Sequence, residues 1–301
     1  MKEKYTPYLK KQFSNPSIAA QYLVKDTDPV DGFNDPLHED SNEPVKGLIH
    51  KYHNRALIKV SYKCAAHCRF CTRVRQIGTG GEIYSIRHII DYLKSHTEIT
   101  DVILSGGDPF YTPKQTVVLL SEIEKIDSVK AIRIGTRLPV HNPVSFNSPL
   151  VIDVLNKICE TKKHFIVLIH VEHPDELTEE TLSVIKHIKQ TGATVLSQTV
   201  FLHGINNDVE ILRSLFEKLY WNGVIPYYIY RCDYVKGLEQ YVCDINQEVE
   251  IMTELRKTLS GVAYPTYIVD VEGTGKIPVP LSFWKSDITK CKDFLNNKIL
   301  L

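Results

Sequence analysis

Three cysteines lie in one short run, Lys63-Cys64-Ala65-Ala66-His67-Cys68-Arg69-Phe70-Cys71, spaced C-x3-C-x2-C. Thiolates select iron–sulfur clusters, zinc or Cu(I). A structural zinc site or an electron-transfer cluster takes four protein ligands. Three thiolates on a tight loop leave one coordination position open, and an open position is where a metal does chemistry on a substrate. Two other readings stand beside this one: packing cysteines, or three of four zinc ligands with the fourth distant. Cys159, Cys232, Cys243 and Cys291 are scattered and contain no C-x2-C pair.

Two further constellations could do chemistry. Gly106-Gly107-Asp108 follows Asp101-Val102-Ile103-Leu104-Ser105. A glycine pair at a strand exit makes a plain turn or lets backbone approach a ligand closely. Lys276 ends Gly273-Thr274-Gly275-Lys276. Such a lysine is a surface residue in a turn, or an amine placed to form a Schiff base, as lysine does with pyridoxal 5′-phosphate (PLP).

The elements that must position these residues alternate. Strand-like runs occur at Ala56–Tyr62, Val102–Ser105, Ala131–Gly135, Phe165–Val171, Thr194–Val200, Tyr227–Arg231 and Tyr267–Val271. Helical spacing lies between them, as in Ile83, Ile86, Ile90 and Leu93, or Ile211, Leu215 and Leu219. Asp208 opens one helix and Gly223 closes it. Strands alternating with helices predict an α/β fold with a parallel sheet, a barrel or partial barrel. The unusual polar residues fall at strand C-terminal ends: Cys64, Gly106–Asp108, Thr136-Arg137, His170, Gln198 and Asp233. That end carries the active site of α/β barrels, so the pattern predicts an enzyme.

Composition narrows the setting. Lys plus Arg equals Asp plus Glu at 36 each, so charge gives no case for nucleic acid. An odd cysteine count without regular pairing argues against a secreted disulfide framework. No signal peptide is legible, and no run approaches the ~20 apolar residues of a membrane span. The expected location is the cytoplasm. Residues 1–46 read as a polar, extended or loosely packed arm with Asp26, Asp28, Asp31, Asp35, Glu39, Asp40 and Glu43. Residues 47–285 read as the core and 286–301 as a tail.

The motifs together resemble the lysine 2,3-aminomutase family of radical S-adenosylmethionine (SAM) enzymes. The resemblance is carried by the cysteine run, Gly106-Gly107-Asp108, Ile132-Arg133-Ile134-Gly135-Thr136-Arg137-Leu138-Pro139-Val140 and His170-Val171-Glu172-His173-Pro174. Gln198-Thr199-Val200, Tyr227–Asp233 and Leu259-Ser260-Gly261 through Lys276 extend it, in collinear order from about Leu48 to Pro280. It implies a partial (β/α)6 radical SAM barrel with a short N-terminal extension. It implies an isomerase that converts L-lysine to β-lysine, the amino nitrogen migrating from Cα to Cβ.

Site by site, the resemblance implies that Cys64, Cys68 and Cys71 hold a [4Fe–4S] cluster. Gly106, Gly107 and Asp108 would bind SAM, with His170 and Gln198 beside its adenosyl group. Lys276 would carry PLP, with Tyr52 and Arg55 at the phosphate, and Lys51 stands where relatives often have arginine. Arg73 would pair with the substrate carboxylate, and Asp233 and Asp270 with its ε-ammonium. Two buried carboxylates call for a cation; the blander reading makes Asp233 a helix cap and Asp270 a strand end. The implied partners are a small amino acid and an electron donor such as flavodoxin or ferredoxin, with no nucleic acid or membrane; a homo-oligomer is compatible.

Several departures qualify the substrate. Val209 replaces an expected cysteine, and the C-terminal zinc segment of long members is not matched, so the chain looks more like short members that make β-lysine for elongation factor P. Glu172 replaces a usual Asn, the PLP loop with Glu272 and Thr274 is a residue shorter, and Arg231 stands where relatives often have Gln. Arginine or a protein-bound lysyl group are the alternative substrates, and an iron–sulfur or zinc protein without catalysis is the alternative of another class. His88, His96 and His187 read as surface or packed residues, and Tyr5, Tyr8 and Phe13 as packing.

Overall fold

Hydrophobic alternation and helix caps build one repeating unit. The computed structural model describes residues 2–24, 32–79, 85–271, 275–283, 290–292 and 298–300. Two short helices, α1 (Pro7–Lys10) and α2 (Pro16–Ala19), precede strands β1 (Leu48–Tyr52) and β2 (Arg55–Ser61). Then follow α3 (Ile86–Ser95), β3 (Asp101–Gly106), α4 (Pro113–Ile123), β4 (Ala131–Thr136), α5 (Leu138–His141), α6 (Pro149–Glu160) and β5 (His164–His170). The series continues with α7 (Glu179–Gln190), β6 (Thr194–Val200), α8 (Val209–Trp221), β7 (Ile225–Tyr230), α9 (Ile245–Thr258), β8 (Thr266–Val271) and β9 (Gly275–Pro278). A separate hairpin pairs β10 (Lys290–Lys292) with β11 (Lys298–Leu300).

The main sheet runs β1 to β9 in sequence order. Strands β2 through β8 are parallel, with helical crossovers between neighbours. This is the expected partial (β/α)6 barrel. The anticipated strand runs all correspond to β2–β8. The edges β1 and β9 were not anticipated. They are short, pair antiparallel with β2 and β8, and lack a regular apolar alternation.

Local chemistry explains the helix starts. Ser85, Ser148, Thr178, Asp208 and Asp244 each accept a backbone N–H from the first turn, which satisfies donors that no helical carbonyl can reach. Asp208 and Gly223 bound α8 as expected, Gly223 at φ +72°. Ile83 lies outside the described residues. The core joins β-strand residues such as Val102, Leu104, Ile134 and Val167 to Leu93, Leu120, Val154, Ile185, Leu215 and Leu255 of the helices, all nearly or fully buried. Each such side chain contributes about 1.5–3 kcal/mol.

The N-terminal arm is not loose where it is described. Leu9, Ile18 and Tyr22 are buried with Ala66 of the cysteine loop, and Tyr5 and Phe13 pack against them. The backbone N–H groups of His67 and Arg69 donate to Lys4 and Gln21 carbonyls at 2.8 Å. The acids expected to keep the arm solvated instead have basic partners. Asp35 and Asp40 pair with Arg75, Glu39 with Arg73, and Glu43 with the fully buried Lys59 at 2.7 Å. Asp26, Asp28 and Asp31 lie outside the described residues.

The two edges of the sheet also meet. Lys51 Nζ on β1 lies 3.0 Å from Asp270 Oδ1 on β8. The backbone N–H of Lys276 on β9 donates to the Tyr52 hydroxyl at 3.2 Å. Among the described residues no strand ladder joins β1 to β9, and side chains meet across this seam.

Candidate active site

A cavity of about 140 Å³ is lined by residues from β1 through β9, including Arg55 and Leu57 in the first half of β2 and Asp270 near the end of β8. Its wall includes Lys51, Tyr52, Arg55, Arg73, Gln198, Asp270 and Lys276, seven of the residues singled out in the sequence. Leu37 and Glu39 from the arm, and Tyr227, Tyr228 and Tyr230 from β7, complete it. Asp233, His170, the three cysteines and Gly106–Asp108 are not on this wall.

Lys276 is set opposite Asp270 by the β8–β9 register. Its Nζ lies 2.9 Å from Asp270 Oδ2 and 5.6 Å from the centre of the Tyr230 ring. Gly275, at φ +92°, precedes it, and a Cβ there would sit 2.6 Å from the Tyr52 hydroxyl. That glycine is required for Tyr52 to reach the lysine backbone. Gly273, Thr274 and Glu272 lie outside the described residues.

Asp270 therefore holds two ammonium groups. Burial raises its pKa, but Lys276 and Lys51 outweigh burial and keep it below the usual carboxylate range. Asp233 behaves oppositely. Burial raises its pKa most, repulsion from Asp270 adds to that, and Lys276 and Lys51 only partly offset them, leaving it at about 6. Asp233 feels the charges of Asp270, Lys276 and Lys51, and among the described residues its carboxylate has no hydrogen bond. Arg231 turns away from both acids, to Glu248 Oε2 at 2.6 Å.

Arg55 is loosely held, in an ion pair with Asp101 that is longer than a hydrogen bond. Its guanidinium lies 5.3 Å from the Tyr52 ring centre and its buried Nε has no hydrogen-bond partner; Asp101, 3.6 Å away, is held mainly by Arg133. Arg55 and Lys276 line the same cavity, and a guanidinium and an amine on one wall fit a phosphorylated carbonyl compound such as PLP. Lys51 does not fit a phosphate role alone, because its ammonium is paired with Asp270.

Arg73 is occupied. Its Nε and Nη2 face both oxygens of Glu39 at 2.5–3.0 Å, and Nη1 reaches Ser105 Oγ at 3.4 Å. The sequence reading gave Arg73 a substrate carboxylate; in this structure the arm supplies one. A signal existed, since Asp35, Glu39, Asp40 and Glu43 match Lys59, Arg73 and Arg75 in charge.

The cysteine loop packs against the first part of the arm through Ala66. Among the described residues no three His, Cys, Asp or Glu side chains converge on a single metal ion. The three thiols are unpaired. Burial raises the pKa of each, and each feels its neighbours: Cys71 is pushed up to about 11 by burial and then by Cys68. Cys64 is raised by burial and then by Asp108, Cys71 and Cys68. Metal binding would displace these protons. Cys68 accepts from Arg137 Nη1 at 3.0 Å.

The glycine pair serves the loop itself. A Cβ on Gly107 would lie 2.3 Å from the Lys63 carbonyl oxygen, so only glycine lets β3 pass this close to the residue before Cys64. Asp108 is buried and accepts from Phe110 and Arg137 N–H groups and the Thr136 hydroxyl at 2.8–3.0 Å. Its carboxylate holds the β4 exit rather than reaching toward a ligand.

His170 packs edge-on to Phe70, centroids 6.0 Å apart, and its Nε2 lies 3.1 Å from Glu172 Oε1. Burial and then Arg137 push His170 down to about 3, while burial pushes Glu172 up to about 8. The pair is a neutral contact at pH 7. Gln198 donates to the Tyr230 hydroxyl at 2.9 Å.

The radical SAM superfamily profile matches residues 58–215. An L-lysine 2,3-aminomutase from Methanococcus maripaludis is 38% identical over 263 residues, covering 84% of this chain and 59% of that protein. A glutamate 2,3-aminomutase from Clostridioides difficile is 34% identical over 281 residues, covering 86% of this chain and 64% of its own length. The chain thus spans about three-fifths of the curated relatives it matches. A radical SAM methyltransferase structure from Sphaerobacter thermophilus superposes with a TM-score of 0.54 at 14% identity, over 74% of this chain and 68% of that one. That similarity is one of fold.

Proposed function

We propose, for a chain that belongs to the radical SAM superfamily and within it to the lysine 2,3-aminomutase family, that it isomerises L-lysine to β-lysine. The observation that carries the reading is Lys276 and Lys51 sharing Asp270 in the cavity, within the electrostatic reach of Asp233. When bound, a [4Fe–4S] cluster and SAM supply a hydrogen-abstracting radical, and PLP supplies a carrier for the migrating nitrogen.

The residues of this chain hold and orient. Cys64, Cys68 and Cys71 would hold the cluster; Gly106, Gly107, His170 and Gln198 would border SAM, with the backbone rather than the carboxylate of Asp108. Lys276 and Arg55 would hold the aldehyde and phosphate ends of PLP, with Tyr52 fixing the lysine backbone. Lys276 faces Asp270 as an ammonium and must lose a proton before its amine can react. Lys51 then still pairs with Asp270 Oδ1, so the carboxylate keeps a partner. The released face at Oδ2, together with Asp233, suits one new cation, the ε-ammonium of lysine. Glutamate would bring a third carboxylate to that place. Arg231, paired with Glu248, gives no reason to prefer another side chain. The barrel wall excludes water and fixes distances. An external one-electron donor such as flavodoxin or ferredoxin would drive turnover. Among the described residues no helix is long and apolar enough to cross a membrane.

The test is anaerobic turnover of lysine, arginine and glutamate with SAM, PLP and dithionite, in wild type and Asp270→Asn. Lysine should have the highest kcat/KM, and Asp270→Asn should lower it at least tenfold, since a lost charge-assisted partner costs about 2–5 kcal/mol. Preference for glutamate, or an unchanged Asp270→Asn ratio, would sink the assignment. Borohydride reduction and peptide mapping should place PLP on Lys276.

A further inference from the structure

The three cysteine sulfurs differ in their surroundings. Beside Cys64 the backbone N–H of Asp108 donates to the Lys63 carbonyl at 2.9 Å, and among the described residues no side-chain donor reaches the Cys64 or Cys71 sulfur. Cys68 instead meets side chains. Arg137 Nη1 donates to its Sγ at 3.0 Å, and His141 Nε2 lies 3.5 Å away.

Arg137 is 5% exposed and fixed from several directions. Its own N–H donates to Asp108 Oδ2 at the β4 exit. Nη2 donates to Gln21 and, at 2.7 Å, to Glu176 Oε1. The Phe70 and Tyr22 rings lie 4.9 and 5.5 Å from its guanidinium carbon. A buried guanidinium needs a counter-charge, and Glu176 gives one on the edge away from sulfur. The opposite edge is left to point at Cys68.

We infer that Arg137 is a positioning residue that raises the reduction potential of the cluster by keeping an N–H on the Cys68 sulfur. The inference rests on the cluster reading above. Reduction adds one electron, and part of the added negative charge falls on the cysteine sulfurs. A hydrogen bond to sulfur stabilises that charge, which is one of the protein's levers on cluster potential. Glu176 neutralises the guanidinium charge overall but does not remove the N–H aimed at sulfur. Arg137 lies outside the cavity wall, so its effect is on the electron step rather than on amino-acid binding.

The variant that isolates the effect is Arg137→Met with Glu176→Gln, which removes the donor and its counter-charge together. Wild type and variant are reconstituted anaerobically, and iron content is measured. In a mediated titration dithionite supplies the electron that takes the cluster from its 2+ to its 1+ state. At a fixed potential the reduced-to-oxidised ratio should fall at least tenfold in the variant, about 59 mV for one electron. Glu176→Gln alone keeps the donor and should not lower the ratio. An unchanged ratio in the fully loaded double variant overturns the inference. A folded double variant without iron also overturns it, since Arg137 would then serve assembly. A wild type that binds no cluster overturns the cluster reading itself. A measurement on wild type needs no variant: with ¹⁵N in the arginine guanidinium groups, pulsed EPR of the reduced cluster should show a ¹⁵N coupling, and its absence refutes the contact.

Discussion

Asp233→Asn should make the cofactor-free protein more stable and its lysine binding weaker. Burial, reinforced by Asp270, raises the Asp233 pKa from 3.8 to about 6. At ~1.4 kcal/mol per pKa unit, holding this carboxylate ionised in the folded chain costs about 3 kcal/mol. The sign follows from linkage. The folded pKa lies above the unfolded one, so the fold disfavours the ionised form. Below about 3.8 both states are protonated and there is no cost. Between 3.8 and 6 the cost grows, and above 6 it is fully present. Asparagine carries no charge at any pH. Its stabilising effect should therefore reach about 3 kcal/mol at pH 7.5, a melting rise of roughly 5 °C, and shrink toward zero by pH 4. Thermal melts of apo wild type and variant at the two pH values measure it. Lysine binding should move the other way, weakening by about 2–5 kcal/mol, and in wild type it should release a proton near pH 6. A variant no more stable than wild type at pH 7.5, or a gain independent of pH, would refute the account of Asp233 as a carboxylate awaiting a cation.

Glu39→Gln should lower apo stability by roughly 3–5 kcal/mol, because Arg73 is left buried without its counter-charge; the melting rise on adding lysine should then exceed that of wild type, and a smaller rise would argue against a substrate carboxylate at Arg73. Gly107→Ala places a Cβ 2.3 Å from the Lys63 carbonyl, so iron loading after reconstitution should fall severalfold, with overpacking costing about 1–3 kcal/mol. Arg231→Gln should cost stability through the fully buried Glu248 while leaving the lysine-to-arginine ratio of kcat/KM within about twofold, measured on purified holoenzyme.

Much of the barrel was legible because period-2 and period-3.6 patterns repeat along the chain, and the odd polar residues followed the strand ends. Lys276, Asp270, Arg55, Tyr52 and Gln198 were each named from sequence and share one cavity wall. Pairings across distant segments were not legible. Arg73 and Glu39 are 34 residues apart, and Lys59 and Glu43 are 16 apart; such ion pairs leave no periodic mark, and the acids of the arm read as solvated charge. The glycine pair was read as a turn or a ligand approach; that Gly107 also lets β3 pass against the cysteine loop was not legible. A missing Cβ is visible in sequence, but what takes its place is set by tertiary packing. The Cys68–Arg137 contact was missed for the same reason: Cys68 was noted in the cysteine run and Arg137 at a strand end, with nothing to join them.

The seam between β1 and β9 has a consequence for the lifetime of the chain. Lys51 and Asp270 are 219 residues apart, and Tyr52 and Lys276 are 224 apart, so the contacts there need nearly the whole barrel in place before they can form. With no ladder across the gap, the edges can part without breaking a single strand pairing. A molecule fastened to Lys276 on one side and Arg55 on the other would bridge the gap as a staple does. Its occupancy would then add RT ln(1 + [L]/Kd) to the resistance of the seam to opening. Cofactor supply in the cell would set how often the edges part, and with it how readily proteases reach the two ends of the sheet.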